Sequence, residues 1–514
     1  MPFLLNFTSP STDSISARYQ RCLPFTEDNQ QSSAELVSVS ANHVGGCIQD
    51  VSTAQTWLED ETTGWLSDQF LLGDDDELWW DDVLGSNVSS QSEVVESSGL
   101  EARMQQLLME LKALTNCSTG QYRVAPAFDE MAAARLFSSH NLLEFSNVYF
   151  DYWSSHCPIL HRPTFDLTKI HLPLLLAVFL IGESYSTESY CSRGQCYYDL
   201  AEDYAFSHPC FRNFSMQDQP TTDCASSDLE PLQAVYLMVL LQMSGNNIPA
   251  RRRVRDQRYH EIIVAARRLR LFDSRNEYLH REWVNTTGFD WEKFALRESR
   301  IRLAYLIFGI ECNFSMFHST YPRIPISEMT GDPMCSESCF SATTCAECER
   351  YARMELRSRS LSISACVNAL LQSAVPISVK SGLEDLFPMS FFFVLCGLHC
   401  VINAARANNI GSSMGPVFLK ALDQWIEIWK IQLDNVSAEE SSKLGFMKDA
   451  GVEFWQLATI FVQAEALGMF DSDELRSMSA ESMEGVSCLL EVFYLADTNT
   501  SRRYISGKVL EALD

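Results

Sequence analysis

The stretch "FSNVYFDYWSSHCPILHRPTFD", residues 145–166, passes from an aromatic helical pattern into a segment with two histidines, a cysteine and two prolines. Pro158 and Pro163 lack a backbone N–H and restrict the residue before them, so a helix that begins at the aromatic end cannot continue through the segment. The two histidines therefore do not lie one helical turn apart on one face, and no further ligand pair is near. We interpret the segment as a structural elbow whose apolar side chains enter a core, with a metal site as the weaker alternative.

On both sides of this elbow, apolar residues recur at spacings of three and four. Examples are 229–244 and 291–318, and Ser-, Gly-, Pro- or Cys-rich breaks separate such segments. Patterns that alternate apolar and polar residues are scarce, so we predict an all-α domain of many helices over 127–514. The longest apolar stretches, 172–182 and 389–402, are shorter than the ~20 residues of a membrane span and are expected to be buried helices.

Composition limits the partners and the compartment. The 514 residues carry 67 acidic and 39 basic side chains, a formal net charge of -28. Because surplus carboxylates repel phosphates, the whole molecule is not built to coat nucleic acid, and any DNA contact has to be local. Scattered cysteines and an N-terminus without a basic, apolar signal sequence favour a reducing compartment inside the cell. We expect no membrane partner.

An acidic, aromatic region is predicted to be disordered over residues 1–98. No lysine or arginine occurs between Cys22 and Ala102. Within this region, residues 57–82 interleave carboxylates with large apolar side chains, and charge repulsion leaves the apolar groups free to dock into a partner's groove. The apolar members are Trp57, Leu58, Trp65, Leu66, Phe70, Leu71, Leu72, Leu78, Trp79 and Trp80. We interpret 57–82 as an activation-type segment, with a solvated linker as the alternative.

Residues 99–126 are predicted to form an amphipathic helix and a linker. Six apolar residues recur there at spacings of three and four, which places them along one helical face. They are Leu100, Met104, Leu107, Leu108, Leu111 and Leu114. Two heptads are too few for a convincing coiled coil, so we expect this face to dock on the main domain, and homodimerisation remains open.

Several motifs, in a fixed order, resemble a known family. The elbow element Pro-Ile-Leu-His-Arg-Pro-Thr-Phe is followed by "LPLLLAVFLIGESYS" at 172–186, "LQAVYLMVLLQMSGN" at 232–246, "YHEIIVAARRLRLF" at 259–272 and a Trp-x-x-Phe-x-x-x-Glu-x-x-x-Arg segment from residue 291. Together they are similar to the fungal-specific transcription factor regulatory domain, the middle homology region of fungal zinc-finger and zinc-cluster regulators. The resemblance implies architectural roles for Pro158, Leu160, His161, Arg162, Pro163, Phe165, Trp291, Glu298 and Arg302.

The resemblance implies a nuclear regulator of RNA polymerase II genes, of the kind that controls a metabolic or secondary-metabolite gene cluster. Its helical domain would modulate activity, its acidic segment would recruit coactivators, and it would have no catalytic role. Family members carry a zinc DNA-binding module upstream, but Cys22, Cys47 and Cys117 form no Cys-x-x-Cys pair. We therefore expect no cofactor in this chain and zinc only in an upstream module. The chain is either part of a longer regulator, or joins a DNA-binding partner, or contacts DNA itself.

A cluster of arginines is the candidate for a DNA contact or a nuclear import signal. It comprises Arg251, Arg252, Arg253, Arg255 and Arg258. Arginine suits phosphate contact, although a helix through this segment would place the side chains on several faces. The contrast in charge also predicts that the acidic segment 57–82 docks on this cluster.

Four cysteines are the candidate zinc ligands. Cys335, Cys339, Cys345 and Cys348 fall within fourteen residues and include one Cys-x-x-Cys pair. The spacer between the pairs is short, and neighbouring glutamates disfavour thiolates, so we expect reduced loop thiols and no metal.

Other function classes receive less support. The chain lacks a Gly-rich phosphate loop, a Gly-x-Ser-x-Gly elbow and a His-Glu-x-x-His helix, so we predict no enzyme. Glu298 and Arg302 are spaced to pair on a helix, and as an exposed pair they would contribute up to ~0.5 kcal/mol. The alternatives to a transcription regulator are a helical accessory scaffold and a small-molecule sensor with a pocket between apolar helices.

Overall fold

The computed structural model describes most of the chain outside the acidic region. The described residues are 2–9, 12, 14–19, 90–117, 128–186, 193–212, 229–285, 288–318, 320–356, 361–466, 468 and 486. The activation-type segment 57–82, and the disorder predicted around it, lie outside these residues. So do the linker at 118–126 and residues 487–514.

Helices account for most of the described backbone. In the N-terminal half they are α1 (Pro2–Thr8), α2 (Ile15–Tyr19), α3 (Ser90–Cys117), α4 (Glu130–Leu136), α5 (Ser139–Val148), α6 (Leu172–Tyr185), α7 (Tyr198–Ala205), α8 (Pro209–Arg212), α9 (Leu229–Ser244), α10 (Ile248–Arg253) and α11 (Tyr259–Arg268). In the C-terminal half they are α12 (Trp291–His318), α13 (Glu337–Phe340), α14 (Cys345–Met354), α15 (Ile363–Leu370), α16 (Ile377–Glu384), α17 (Pro388–Ala407), α18 (Gly411–Asn435), α19 (Ala438–Ser442) and α20 (Met447–Ala466). No β-strand occurs in the described ranges, which confirms the all-α prediction.

Two apolar helices form the centre of the core. Every residue of α6 from Leu172 to Glu183 is buried, and α6 packs against α5, α7 and α9. The second is α17, which packs against α12, α18 and α20 and buries a run from Pro388 to Cys400. Helices that are apolar on all sides have to be surrounded by other elements, and this fixes both in the interior.

α17 also has the length and composition of a membrane-spanning helix. It reaches 20 residues, more than the apolar stretch 389–402 suggested, and 89% of its most apolar window is buried inside the protein. It is the only helix of this kind in the described residues. Its neighbours in the core account for its apolar surface.

The elbow is built by breaks in an otherwise helical segment. Ser138 caps the start of α5, because its hydroxyl accepts the backbone N–H of Asn141 at 3.2 Å. Beyond α5 the backbone widens into a π-helix at Tyr149–Trp153 and then turns, and a 3₁₀ turn follows at Arg162–Thr164. The prolines permit only this short turn, so the chain changes direction between α5 and α6.

α3 begins earlier than predicted and lies with its apolar face on the main domain. Leu100, Met104, Leu107 and Leu111 are buried, and Leu108 and Leu114 are partly buried against the same core. Burying a leucine or methionine side chain stabilises the folded state by roughly 1.5–3 kcal/mol.

The first nineteen residues differ from the disorder predicted for 1–98. Phe3 and Leu4 of α1 are buried, and their backbone N–H groups donate to the Glu453 carboxylate of α20 at 3.0 and 2.7 Å. α2 packs against α6 and α9. The prediction was wrong for this segment because its apolar residues and Arg18 precede the cation-free acidic stretch and find partners in the helical domain. Phe3 and Leu4 bind Glu453, and Arg18 binds the Ser244 carbonyl.

Candidate functional site

A cavity of about 110 Å³ lies in the middle of the domain. The elbow contributes Trp153 and His156 to its wall, α9 and α12 contribute several apolar residues, and α17 contributes Phe392 and Phe393. The N-terminal segment 2–19 closes it on one side. Because Phe446 and Phe454 also line it, the cavity forms only when the N-terminal segment packs against residues more than 400 positions along the chain.

Aromatic rings make up much of the wall. Phe3 stacks on Phe446 with ring centroids 5.3 Å apart, and Tyr19 meets Trp153 edge to face at 5.1 Å. Tyr19 also lies 5.3 Å from the His156 ring. Such offset and edge-to-face pairs are favourable beyond the area they bury, so contacts between the rings help to stabilise this apolar wall.

The charged groups of the wall are all basic. Arg18, Arg251 and Arg255 line the cavity, and none of the described lining residues is an aspartate or a glutamate. Arg18 is only 2% exposed, and backbone carbonyls hold it: its Nε donates to Ser244 at 2.9 Å and its Nη2 to Thr12 at 2.7 Å. In a protein with a net charge of -28, this interior surface has the opposite sign.

Three lining residues retain buried polar atoms without a hydrogen-bond partner. They are the Nε of Arg251, the Oδ1 of Asn313 and the indole Nε1 of Trp153. The Nη2 of Arg251 donates to Asn246 Oδ1 at 3.2 Å, and no carboxylate pairs with this guanidinium in the described residues. Burial lowers the pKa of Arg251 from its ordinary value. A buried donor and a buried acceptor left open in one cavity are costly unless something occupies them.

His156 of the elbow is part of the cavity wall. Its Nδ1 accepts the backbone N–H of Phe446 at 3.1 Å, so the proton of the neutral ring is on Nε2. Burial lowers the pKa of His156 to about 4, and the ring is neutral at pH 7. No group of three potential ligands with metal-binding geometry occurs in the described residues. The elbow thus positions His156 as a wall residue.

Two motif residues, Glu298 and Arg302, meet Glu337 and Phe340 at a second, buried point, and we call these four residues the arginine node. The Nε of Arg302 donates to Glu298 Oε1 at 3.0 Å, its Nη1 donates to Glu337, and its guanidinium lies 4.0 Å from the Phe340 ring centroid. His161 of the elbow packs on Phe340 at 5.1 Å. The node therefore joins the elbow to α12 and α13.

The expectation of an exposed Glu298–Arg302 pair was wrong. Both side chains are 0% exposed. Burial lowers the pKa of Arg302, but the carboxylates of Glu337 and Glu298 outweigh it and hold the net pKa above the ordinary value. Burial also raises the pKa of Glu337. A charge cluster this deep depends on all its members, because removing one leaves the others buried without compensation.

The other motif residues lie around the elbow. His161 also meets Trp291 edge to face at 5.5 Å. Arg162 is exposed and donates to Asp151 Oδ1 at 2.7 Å. Pro158 and Leu160 are buried, and Pro163 and Phe165 are half-buried.

Comparison with known proteins found a family match for the region that contains the elbow and the arginine node. The family model described as "Fungal specific transcription factor domain" matches residues 147–343, which include the elbow and the arginine node. The chain contains a fungal specific transcription factor domain. No solved structure matches the chain.

Three curated relatives match parts of this chain. "Transcription factor verF" of Penicillium polonicum is 25% identical over 65% of this chain and 49% of the relative. "Zinc finger protein zas1" of Schizosaccharomyces pombe is 23% identical over 55% and 30%. The "Nicotinate catabolism cluster-specific transcription factor" of Emericella nidulans is 21% identical over 65% and 39%. The matched region spans less than half of each relative.

The four candidate zinc cysteines occupy different environments at the end of the fungal transcription factor domain and just beyond it. Cys335, Cys339 and Cys348 are buried, whereas Cys345 is exposed. Burial raises the pKa of Cys335 to about 12, which favours the thiol over the metal-binding thiolate. The backbone of Cys335 belongs to the arginine node, since its N–H donates to Glu298 Oε1 at 2.9 Å.

The candidate arginine cluster does not form one patch. Arg253 donates to Glu202 and Asp199 at 2.7 Å each, and Arg258 donates to Glu202 at 2.9 Å and to Asp203 at 2.6 Å. Glu202 is 0% exposed. These two arginines therefore neutralise acidic groups of α7 and are engaged within the domain.

The other three arginines of the cluster lie in different environments. Arg251 and Arg255 line the cavity, and Arg252 is exposed. The turn from α10 into a π-helix at Val254–Arg258 distributes the side chains over several faces. A nuclear import role for this segment and docking of 57–82 upon it stay predictions.

Sequence reasoning missed the cavity and its basic wall. Arg18 and Asn313 gave no motif, and the N-terminal segment was assigned to the disordered region. One signal for a docked N-terminus was present. The apolar stretch "PFLLNF" at 2–7 precedes the acidic region, and so do Arg18 and Arg21, the only lysines or arginines before Arg103.

Stability of the domain is expected to fall on acidification below pH 6.5. Burial lowers the pKa of His156, His161 and His399 from 6.5 to about 4. Below 6.5 the unfolded chain binds protons that the folded chain does not, so stability is lost as the pH falls from 6.5 toward 4. At pH 5.5 each histidine costs about 1.4 kcal/mol, roughly 4 kcal/mol in total.

Urea unfolding at pH 7.5 and 5.5 measures this loss. His399→Gln is expected to remove about a third of it. The variant keeps a donor for the Phe454 carbonyl, which the His399 Nε2 contacts at 2.9 Å. His140→Gln, at an exposed position, is the control and should retain the full loss. Equal stability at the two pH values would contradict the prediction.

Proposed function

We propose that the chain is the regulatory part of a fungal transcription regulator that acts on RNA polymerase II genes in the nucleus. The observation that carries the proposal is the match of 147–343 to the fungal specific transcription factor domain. Two of the curated relatives carry the name "transcription factor", and one of these is specific to a catabolic gene cluster. A role in a metabolic gene cluster is proposed on that basis. We propose no enzymatic activity.

We assign different roles to the acidic segment and to the helical domain because their sequences differ in kind. The acidic segment 57–82 provides apolar side chains that are kept apart by like charges, and such segments dock into hydrophobic grooves of coactivators. The helical domain provides rigid, buried architecture centred on the cavity and the arginine node. DNA is reached through a zinc module elsewhere in a longer protein or through a DNA-binding partner.

The proposed activation function is tested by tethering. We expect the full chain, fused to a heterologous DNA-binding domain, to activate a reporter gene in a fungal host. Replacing Trp57, Trp65, Trp79 and Trp80 with alanine is expected to lower reporter activity roughly tenfold, because buried tryptophans dominate docking free energy.

A matched variant in the same segment controls for composition. Thr62, Thr63 and Ser67 are replaced with alanine, which keeps the charge and the aromatic groups, and reporter activity should be unchanged. A full chain that activates no more than the DNA-binding domain alone would favour the accessory scaffold. Equal losses in both variants would also count against an activation segment.

A second candidate function, a small-molecule sensor, is favoured by one observation. The cavity is lined by the elbow, by other elements of the family domain, by α17 and by the N-terminal segment 2–19. Occupation of such a site stabilises the arrangement that forms it, and this is how an effector shifts a regulator between states.

A further inference from the structure

The cavity wall combines three features that point to one ligand chemistry. Its charged side chains are arginines, and no described lining residue is acidic. The Nε of Arg251 is a buried donor without an acceptor, and the Oδ1 of Asn313 is a buried acceptor without a donor. The remainder of the wall is largely aromatic. An anionic group would meet the arginine, and an apolar body would meet the rings.

The size of the cavity limits the ligand. Its volume of about 110 Å³ is similar to that of an apolar cavity of about 150 Å³ that admits benzene, and it exceeds the ~30 Å³ that one water occupies. A single ring with a short polar substituent fits. A nucleotide, a fused ring system or a peptide does not.

We infer that this cavity is a binding site for a small organic acid, with one carboxylate and a compact ring or branched apolar body. The carboxylate accepts the Nε–H of Arg251, whose positive charge is not neutralised by any carboxylate in the described chain. A hydroxyl on the ligand donates to Asn313 Oδ1. The apolar body lies against Trp153 and Phe392.

Neighbouring charges favour an anion over a cation. Arg18 and Arg255 lie on the same wall, and although Arg255 also donates to Asp256 Oδ1 at 3.1 Å, that carboxylate is half exposed to solvent and is not part of the lining. Among the described lining residues, a cation would meet arginines and no carboxylate. The charge of the wall therefore selects anionic ligands over cationic ligands of the same shape.

Binding of a ligand in the cavity is expected to affect the docking of the N-terminal segment 2–19. Phe3, Phe7 and Tyr19 form one side of the cavity. Their segment is joined to the domain by Glu453 and by the buried Arg18, whose Nε donates to the Ser244 carbonyl. A ligand that contacts this wall stabilises the docked segment. This site goes beyond the proposed transcriptional function, and binding by the purified chain tests it independently of any reporter.

The test is calorimetric titration of the full chain with benzoate and the three isomers of hydroxybenzoate. We expect at least one of them to bind with a dissociation constant on the order of 0.1–1 mM. Benzyl alcohol, which has the ring without the charge, should bind at least ~10-fold more weakly. Methyl signals of Met243 and Met316, which line the cavity, should shift in protein labelled at methionine methyl groups.

Variants locate the site. R251Q is expected to weaken binding of the acid at least ~10-fold, and R252Q, the same change at the adjacent exposed arginine, should leave it unaltered. N313D, which places a negative charge in the wall, should abolish binding at neutral pH. If R251Q does not fold, N313D decides.

Three results would overturn the inference. One is that no acid binds. Another is that benzyl alcohol binds as tightly as the acids, which would make the cavity merely apolar. The third is that R252Q weakens binding as much as R251Q, which would indicate general attraction to positive charge instead of a site.

Discussion

Replacing Arg302 with methionine is expected to lower the free energy of unfolding by roughly 3–5 kcal/mol. The side chain is 0% exposed and donates to Glu298, to Glu337 and to the carbonyl of Cys335 at 3.0 Å. Methionine fills much of the volume but leaves two buried carboxylates without a cation. Most of the loss comes from those stranded charges. Because burial already raises the pKa of Glu337, the loss should be larger at pH 8 than at pH 5, where protonation of Glu337 relieves part of it. Urea unfolding at both pH values measures it.

An exposed pair with the same spacing provides the control. Arg353 and Glu349 are an i,i+4 pair whose side chains are 42% and 32% exposed. Arg353→Met should cost less than about 1 kcal/mol. A triple variant, Arg302→Met with Glu298→Gln and Glu337→Gln, should recover part of the loss because no buried charge remains. If the single Arg302 variant is as mild as the control, the node is not the source of stability argued here.

Replacing Gly182 with alanine is the second change with a large expected effect. Gly182 lies in α6 against α5, and a Cβ placed there would be 1.9 Å from the backbone oxygen of Phe145. The clash is with backbone, so no rotamer change relieves it and the two helices have to separate. We expect a loss of about 3 kcal/mol, at the upper end for overpacking. A thermal melt and urea unfolding measure this loss.

Gly99 offers the matched control for that substitution. It also lies in a helix, α3, but a Cβ there has nothing within 4 Å. Gly99→Ala should stabilise the protein by about 0.5–1 kcal/mol, because alanine loses less backbone entropy in a helix. Equal effects at the two positions would show that the close approach of α5 and α6 does not constrain residue 182.

The predicted helices and the observed ones agree best where the sequence pattern is longest. The segments 229–244 and 291–318 were predicted with the bounds that α9 and α12 have. The family resemblance named Glu298 and Arg302 of the node but not Glu337 or Phe340. The i,i+4 spacing led to the wrong expectation of an exposed pair, since it shows that two side chains can pair but not whether a third element covers them.

The sequence by itself determined the all-α class, the position of the long helices and the turn at the elbow. These depend on the period of apolar residues and on the backbone chemistry of proline, which are local properties. Only the tertiary structure decided that segment 2–19 docks on the domain and lines a cavity with basic side chains, and that Glu202 pairs with both Arg253 and Arg258. Each of these rests on contacts between residues 51 to 450 positions apart. Burial and electrostatic environment are set by what packs around a side chain, and that is a property of the assembled fold.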